Sequence, residues 1–193
     1  MLPITVDLKS FSNMDDEQFY KFCVDNPDLQ IERDSNFNII FMSPVNFKAS
    51  QFNSFINTEL SKWFSENEKG VLINDSSCGF TLSNNAVRSP DAAWISEERM
   101  SSVTETEKEK FPKVCPDFVV EIISSKDDEE WQKNKMKEWI TNGVRLGWLI
   151  NPKTKMVFIY RENQNNFEKA EWNILIGENI LGGLKIDLRK FRF

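Results

Sequence analysis

Two short phrases carry the residues most able to do chemistry. Ser89-Pro90-Asp91 opens one apolar stretch, and Pro116-Asp117-Phe118-Val119-Val120-Glu121 enters another. Glu121 stands inside a run of Val and Ile, where an unpaired carboxylate costs several kcal/mol. Something must compensate it: a partner, a raised pKa or a metal ion. Side chains alternate along a strand, so Asp117, Val119 and Glu121 share one face. If the strand after Asp91 pairs beside this one, Asp91 and Glu121 converge. Two carboxylates at one point form a hard-oxygen site of the kind Mg²⁺ or Mn²⁺ prefers.

The rest of the composition narrows the chemistry further. The chain has no histidine. Ser-His-Asp and Cys-His hydrolases and His-built zinc sites are thereby excluded. Proton transfer falls to carboxylates, lysine, tyrosine or metal-activated water. A lysine near the two acids could orient or deprotonate an attacking water, or offset charge on a phosphate. The position two after Glu121 is apolar, Ile123, so a lysine must come from elsewhere. Lys133, Lys135 and Lys137 follow on a helical stretch. Lys133 and Lys135 both flank the stripe of Met136, Trp139 and Ile140, and Lys137 points further away; helical geometry alone does not choose among them.

Several elements must position these groups. Ser12 to Asn26 reads as a helix, capped by Ser12 or Asn13, with acids at its positive end and Asn26-Pro27 as its stop. Leu29 to Arg33 and Asn38 to Met42 read as a hairpin around Asp34-Ser35-Asn36. Phe52, Phe55, Ile56, Leu60, Trp63 and Phe64 recur at helical spacing, with Gly70 as the stop. Val71 to Ile73, Gly79 to Leu82 and Ala92 to Ile95 read as strands, and Ser96 to Lys113 as mostly surface loop. Phe118 to Ile123 suits a strand covered on both faces. Asp127 to Asn142 is a helix with acids first and lysines later, stopped by Gly143. Strands are expected at Gly147 to Ile150, Met156 to Tyr160, Asn173 to Ile176 and Lys185 to Leu188. This order gives an α/β or α+β class with a mixed sheet.

The chain has 193 residues, 40% of them hydrophobic, with sixteen Phe and six Trp to fill a core. That length fits one domain, and no Pro/Gly/Ser-rich linker divides it. No apolar run approaches the ~18 residues of a membrane span. Met1 to Ser12 lacks a basic region followed by an apolar stretch, so no signal peptide is expected and the cytoplasm is the expected compartment. Cys23, Cys78 and Cys115 are far apart and form no CxxC, which suits buried thiols in a reducing compartment.

The motifs in order resemble one family. Pro90-Asp91, then Pro116-Asp117-Phe118-Val119-Val120-Glu121-Ile122-Ile123-Ser124, then Lys135-Met136-Lys137-Glu138-Trp139 through Gly143-Val144, then Gly147-Trp148-Leu149-Ile150-Asn151-Pro152 follow one pattern. Leu181-Gly182-Gly183-Leu184-Lys185-Ile186-Asp187-Leu188 closes it. Together they resemble the Uma-two endonucleases, a branch of the restriction-endonuclease-like PD-(D/E)xK superfamily. Each motif is weak alone; their order and spacing carry the resemblance, over roughly residues 29 to 190. It implies one restriction-endonuclease-like domain over residues 1–193, a mixed β-sheet flanked by helices, with residues 1–28 as a helical extension. It implies Asp91 and Glu121 as ligands of Mg²⁺ or Mn²⁺, and Lys135 as a catalytic lysine moved from strand to helix. It adds Glu32, in Ile31-Glu32-Arg33, as a further acidic member of the catalytic site. Two residues depart from the family pattern. Gln51 stands near a usual histidine, and Trp139 replaces a usual tyrosine.

The resulting expectation is metal-dependent endonucleolytic hydrolysis of DNA. The net charge of −6 opposes a simple version, because no global field draws in a polyanion. Local basic groups would have to serve: Lys185, Arg189, Lys190 and Arg192 against Asp187, or Lys108, Lys110 and Lys113 among glutamates. Homodimerisation or a partner could supply the remainder. The alternative is a nuclease-like binding or assembly module with weak or lost catalysis.

Overall fold

The computed structural model describes residues 4–6, 14–124 and 127–192. In its N-terminal half, β1 (Ile4–Val6) and α1 (Asp16–Asp25) precede a hairpin of β2 (Ile31–Arg33) and β3 (Ile39–Phe41). Helix α1 starts later than expected. Asp15 caps it, accepting from the Gln18 N–H at 2.8 Å while the Gln18 side chain reaches back to the Asp15 N–H, a reciprocal capping box. Ser12 and Asn13 lie outside the described residues. Helix α2 (Phe47–Asn67) is longer than its apolar stripe and is capped by Asn46. It ends at Glu68, in the left-handed region with φ 45°, before Gly70 is reached.

Strands β4 (Val71–Ile73), β5 (Phe80–Thr81), β6 (Val87–Arg88) and β7 (Ala92–Ile95) follow. The stretch 96–113 is not simply a loop. It holds α3 (Glu97–Met100) and α4 (Glu105–Lys108), one turn each, capped by Ser96 and Thr104. Such single turns are set by their caps and show no periodicity. Then come β8 (Phe118–Ile122), α5 (Glu129–Thr141), β9 (Leu146–Asn151), β10 (Met156–Arg161), β11 (Glu168–Glu171), β12 (Ile174–Ile176) and β13 (Lys185–Asp187), with a one-turn 3₁₀ helix at Leu188–Lys190.

The central sheet has the order β11-β10-β9-β8-β7-β4. It is mixed: β8 and β9 are parallel, joined through α5, and the other described pairs are antiparallel. All five residues of β8 are buried, as a strand with neighbours on both sides and layers on both faces requires. On one face, Phe118, Val120 and Trp148 pack against Phe52, Ile56 and Leu60 of α2 and the β12–β13 hairpin. On the other, Val119, Ile123 and Leu149 meet Met136 and Trp139 of α5 and Phe80 of the second sheet. That second sheet has the order β1-β3-β2-β6-β5, and its strands of two or three residues are too short to show a period that would set them apart from the central sheet. It brings β2, and with it Glu32, over the α5 side of the central sheet.

Candidate active site

The Asp91 strand does lie beside the Glu121 strand. Strand β7 pairs antiparallel with β8, Ala92 opposite Val120 and Ala93 opposite Val119. Asp91 immediately precedes Ala92 at the start of β7, and Glu121 immediately follows Val120 on β8, so the two acids lie at the same end of the strand pair. Glu121 shares its face with Val119 and so looks toward α5. The Asp91 N–H donates to the Val120 carbonyl at 3.0 Å, and its Oδ2 accepts from the Ile122 N–H at 2.7 Å. Its carboxylate is thus fixed to the backbone beside Glu121.

Lys135 comes down on this pair from α5. It is only 4% exposed. Its ammonium donates to Glu32 Oε1 at 2.8 Å and to the Ser89 carbonyl at 3.2 Å, and lies 2.9 Å from Glu121 Oε1. Three acceptors match the three hydrogens of an ammonium. Lys133 is turned elsewhere, to Glu129, Glu130 and the face of the Phe158 ring. Lys137 is exposed. The packing of α5 against β8 and β2 thus brings Lys135, and not Lys133 or Lys137, to Glu32 and Glu121, a placement that helical periodicity alone does not decide.

Glu32 is 1% exposed, because β2 lies inside the second sheet between β3 and β6. Its Oε1 also accepts from the Ser89 N–H at 3.0 Å, and its Oε2 pairs with Arg88 at 3.0 Å. Arg88 continues to Glu138 on α5 at 2.6 Å. Sequence reasoning missed Arg88 and Glu138. A buried arginine on a two-residue strand leaves no pattern; its position just before Ser89-Pro90-Asp91 was the available signal. The indole N–H of Trp139 donates to Glu121 Oε1 at 2.9 Å. Asp117, at the other end of β8, accepts from the Ser96 N–H at 2.8 Å and pairs with Arg99 and Arg145. It anchors chain segments away from the cluster.

The electrostatics follow from the imbalance. Four carboxylates (Glu32, Asp91, Glu121 and Glu138) face two cations, Lys135 and Arg88. Burial pushes Glu121 up to about 7, against the lowering pull of Lys135 and with further raising by Asp91. Burial likewise pushes Asp91 up to about 6. For Glu32, burial is outweighed by Lys135 and Arg88, which hold it below the usual carboxylate range. Burial would lower Lys135, but Glu121 and Glu32 raise it, so it stays an ammonium at neutral pH.

Glu32, Asp91, Glu121 and Lys135 line a cavity of about 690 Å³ between α5, the Ser43-Pro44 segment and the end of β8. The buried Gln132 also lines it, and its Oε1 has no hydrogen-bond partner among the described residues. The donor set suits a hard divalent cation: two carboxylates on one cavity with surplus negative charge, an orphan acceptor for a water shell, and room for water and substrate. Among the described residues, no three or more acidic, thiol or imidazole side chains are arranged so as to hold a metal ion together. Mg²⁺ does not demand such a set, since it commonly takes one or two carboxylates and fills its shell with water and phosphate oxygens.

The family model Uma2, described as "Putative restriction endonuclease", matches residues 16–189. The chain belongs to that family. A crystal structure from Anabaena variabilis, described as "a putative nuclease belonging to DUF820", is similar with a TM-score of 0.67. The likeness covers 82% of this chain and 87% of that one at 17% identity, and so speaks for the fold. No curated protein matches the chain. No helix among the described residues is long and apolar enough to cross a membrane.

Proposed function

We propose that this protein is a Mg²⁺- or Mn²⁺-dependent endonuclease of the PD-(D/E)xK type that hydrolyses DNA phosphodiester bonds. The observation that carries the reading is the gathering of Asp91 and Glu121 on one cavity at the end of the β7–β8 pair, with the Lys135 ammonium 2.9 Å from Glu121. Asp91 and Glu121 would hold the ion. When bound, it supplies Lewis-acid stabilisation of a phosphodiester under attack and activation of the attacking water.

The protein's own groups divide the remaining work. Lys135 is held protonated, so it acts as a fixed positive charge and not as a base. At the floor of a low-dielectric cleft such a charge offsets developing negative charge on a phosphate far more than it would in water. Glu32 is a positioning residue: pinned by Arg88 and the Ser89 N–H, it fixes where the ammonium sits. Trp139 holds Glu121 Oε1 in place. The test is incubation of supercoiled and single-stranded DNA with Mg²⁺ or Mn²⁺, or with EDTA. Lys135→Ala should lose cleavage while Lys133→Ala keeps it. Equal cleavage by the two variants would overturn the assignment.

One observation favours the second reading, a binding or assembly module on the same fold. Lys135 and Trp139 already occupy Glu121 Oε1, so the cluster is partly neutralised without a metal ion. Under that reading, calorimetry with millimolar Mn²⁺ shows no binding.

A further inference from the structure

A smaller cavity of about 370 Å³ is lined by Lys48, Lys153 and Lys155 over an apolar floor that includes Ala49, Ile123 and Pro152. We propose that this lysine-rimmed cavity docks the sugar–phosphate backbone of the nucleic-acid strand next to the bond being cut. The inference rests on the nuclease reading for its orientation and names how that same site takes its substrate.

Its placement is the first argument. Neighbouring residues line the two cavities: Val45 and Ile122 the acidic one, Asn46 and Ile123 the basic one. Ile123 follows Glu121 by two positions, on the same face, so it lies roughly 7 Å along the strand direction. The Ile123 N–H donates to the Ile150 carbonyl at 2.8 Å, so β8 and β9 end together there. Both cavities therefore open at the carboxyl ends of the parallel pair, where open α/β sheets commonly take ligands.

Its charge is the second. None of the described residues lining the cavity is acidic, although the chain carries a net −6. Lys48 stands in the first turn of α2, where a helix favours anions and a cation gains nothing from the helix itself. The basic groups singled out from sequence are already neutralised in part. Lys108 pairs with Glu105, Lys110 with Glu17, Lys113 with Asp16, and Arg189 with Asp187. Lys153 and Lys155 make no ion pair among the described residues.

Its rigidity is the third. The turn from Asn151 to Lys155 is braced: the Asn151 Oδ1 accepts from the Lys153 and Thr154 N–H groups, and its amide donates to Glu129 at 3.1 Å. Two cations thus project from a fixed hairpin and one from a fixed helix end. Cations around an apolar floor match a backbone that alternates phosphate with deoxyribose, and phosphate contacts set position without reading sequence.

The test measures binding apart from cleavage. A short labelled duplex and the corresponding single strand are titrated in EDTA by fluorescence anisotropy across a salt series. The variant replaces Lys48→Gln, Lys153→Gln and Lys155→Gln together, and Lys137→Gln is the control. All four side chains are exposed, and a melting curve confirms that each variant folds. The expected result is an affinity loss on the order of tenfold or more. The slope of log K against log salt should become shallower by roughly 2 to 3, at ~0.9 per contact on duplex and ~0.7 on single strand. Whichever DNA form loses more is the one docked. An unchanged slope and affinity, or wild-type protein that binds neither DNA at low salt, would overturn the proposal. If wild type binds through these lysines yet never cuts with Mg²⁺ or Mn²⁺, hydrolysis fails and the docking surface stands. If it cuts and the triple variant changes neither KM nor slope, the docking surface fails and hydrolysis stands.

Discussion

Replacing Lys135 by methionine keeps the length of the side chain and removes its charge. Two buried acids lose their shared partner, but not equally. Glu32 keeps Arg88 and the Ser89 N–H, whereas Glu121 keeps, of its described contacts, the Trp139 indole. Breaking a buried ion pair from one side costs about 3–5 kcal/mol. Glu121 already sits near 7 and rises further once the ammonium is gone, so it can escape part of that cost by taking a proton. The loss should therefore be about 3 kcal/mol near pH 8 and smaller near pH 5.5, where a protonated Glu121 needs no cation. For a chain of this size, 1 kcal/mol moves Tm by ~2–4 °C, so roughly 6–12 °C is expected at the higher pH. Thermal melts in EDTA at the two pH values measure this directly. The double variant Lys135→Met/Glu121→Gln should recover at least about 1 kcal/mol, because the uncompensated charge is then absent. A Lys135→Met protein that melts within about 2 °C of wild type at both pH values would refute the reasoning, since a pair this buried cannot be removed so cheaply.

Other consequences can be checked with similar tools. Trp139→Phe keeps an aromatic ring but removes a donor to a carboxylate, and should cost about 1.5–3 kcal/mol in urea unfolding. Arg88→Met strips a partner from both Glu32 and Glu138, and should destabilise by about 3–5 kcal/mol while lowering any DNA cleavage, a loss read from the same nicking assay. Protons compete with a divalent ion for Asp91 (about 6) and Glu121 (about 7), so Mn²⁺ affinity by calorimetry should rise from pH 5 to 8 and level off above. Gly70→Ala should destabilise far more than Gly147→Ala in thermal melts. At Gly70, with φ +78°, a new methyl meets the Ile95 carbonyl, but at Gly147 it meets the flexible tip of Met136.

Much of the frame was legible from pattern, and the failures have physical causes. The apolar stripe of α2 and the buried run of β8 announced themselves, because each repeats one period over enough residues to stand out. Strand β11, with the sequence Glu-Lys-Ala-Glu, is an exposed edge and carries charge where no alternation can be read. Strand β6 has two residues, too few for any period, yet it supplies Arg88. Caps, not periodicity, set α3 and α4. At the site, a carboxylate stranded in an apolar run pointed to Glu121, and its meeting with Asp91 hung on whether the two strands pair, which the sequence alone does not decide. Glu32 and Lys135 came from the family resemblance. Nothing local in Ile31-Glu32-Arg33 distinguishes a surface acid from one buried between its own sheet and α5. What decides it is the packing of β2 over α5, a long-range contact between residues 32 and 135 that no local window contains.

Isothermal titration with Mn²⁺ near pH 8 tests the central claim most directly, with wild type, Asp91→Asn and Glu121→Gln measured side by side. Wild type should bind a single ion per chain, and each substitution alone should abolish or severely weaken that binding while the protein remains folded. Wild-type protein that takes up no Mn²⁺ at millimolar concentration, or binding that persists unchanged in both variants, would contradict the account.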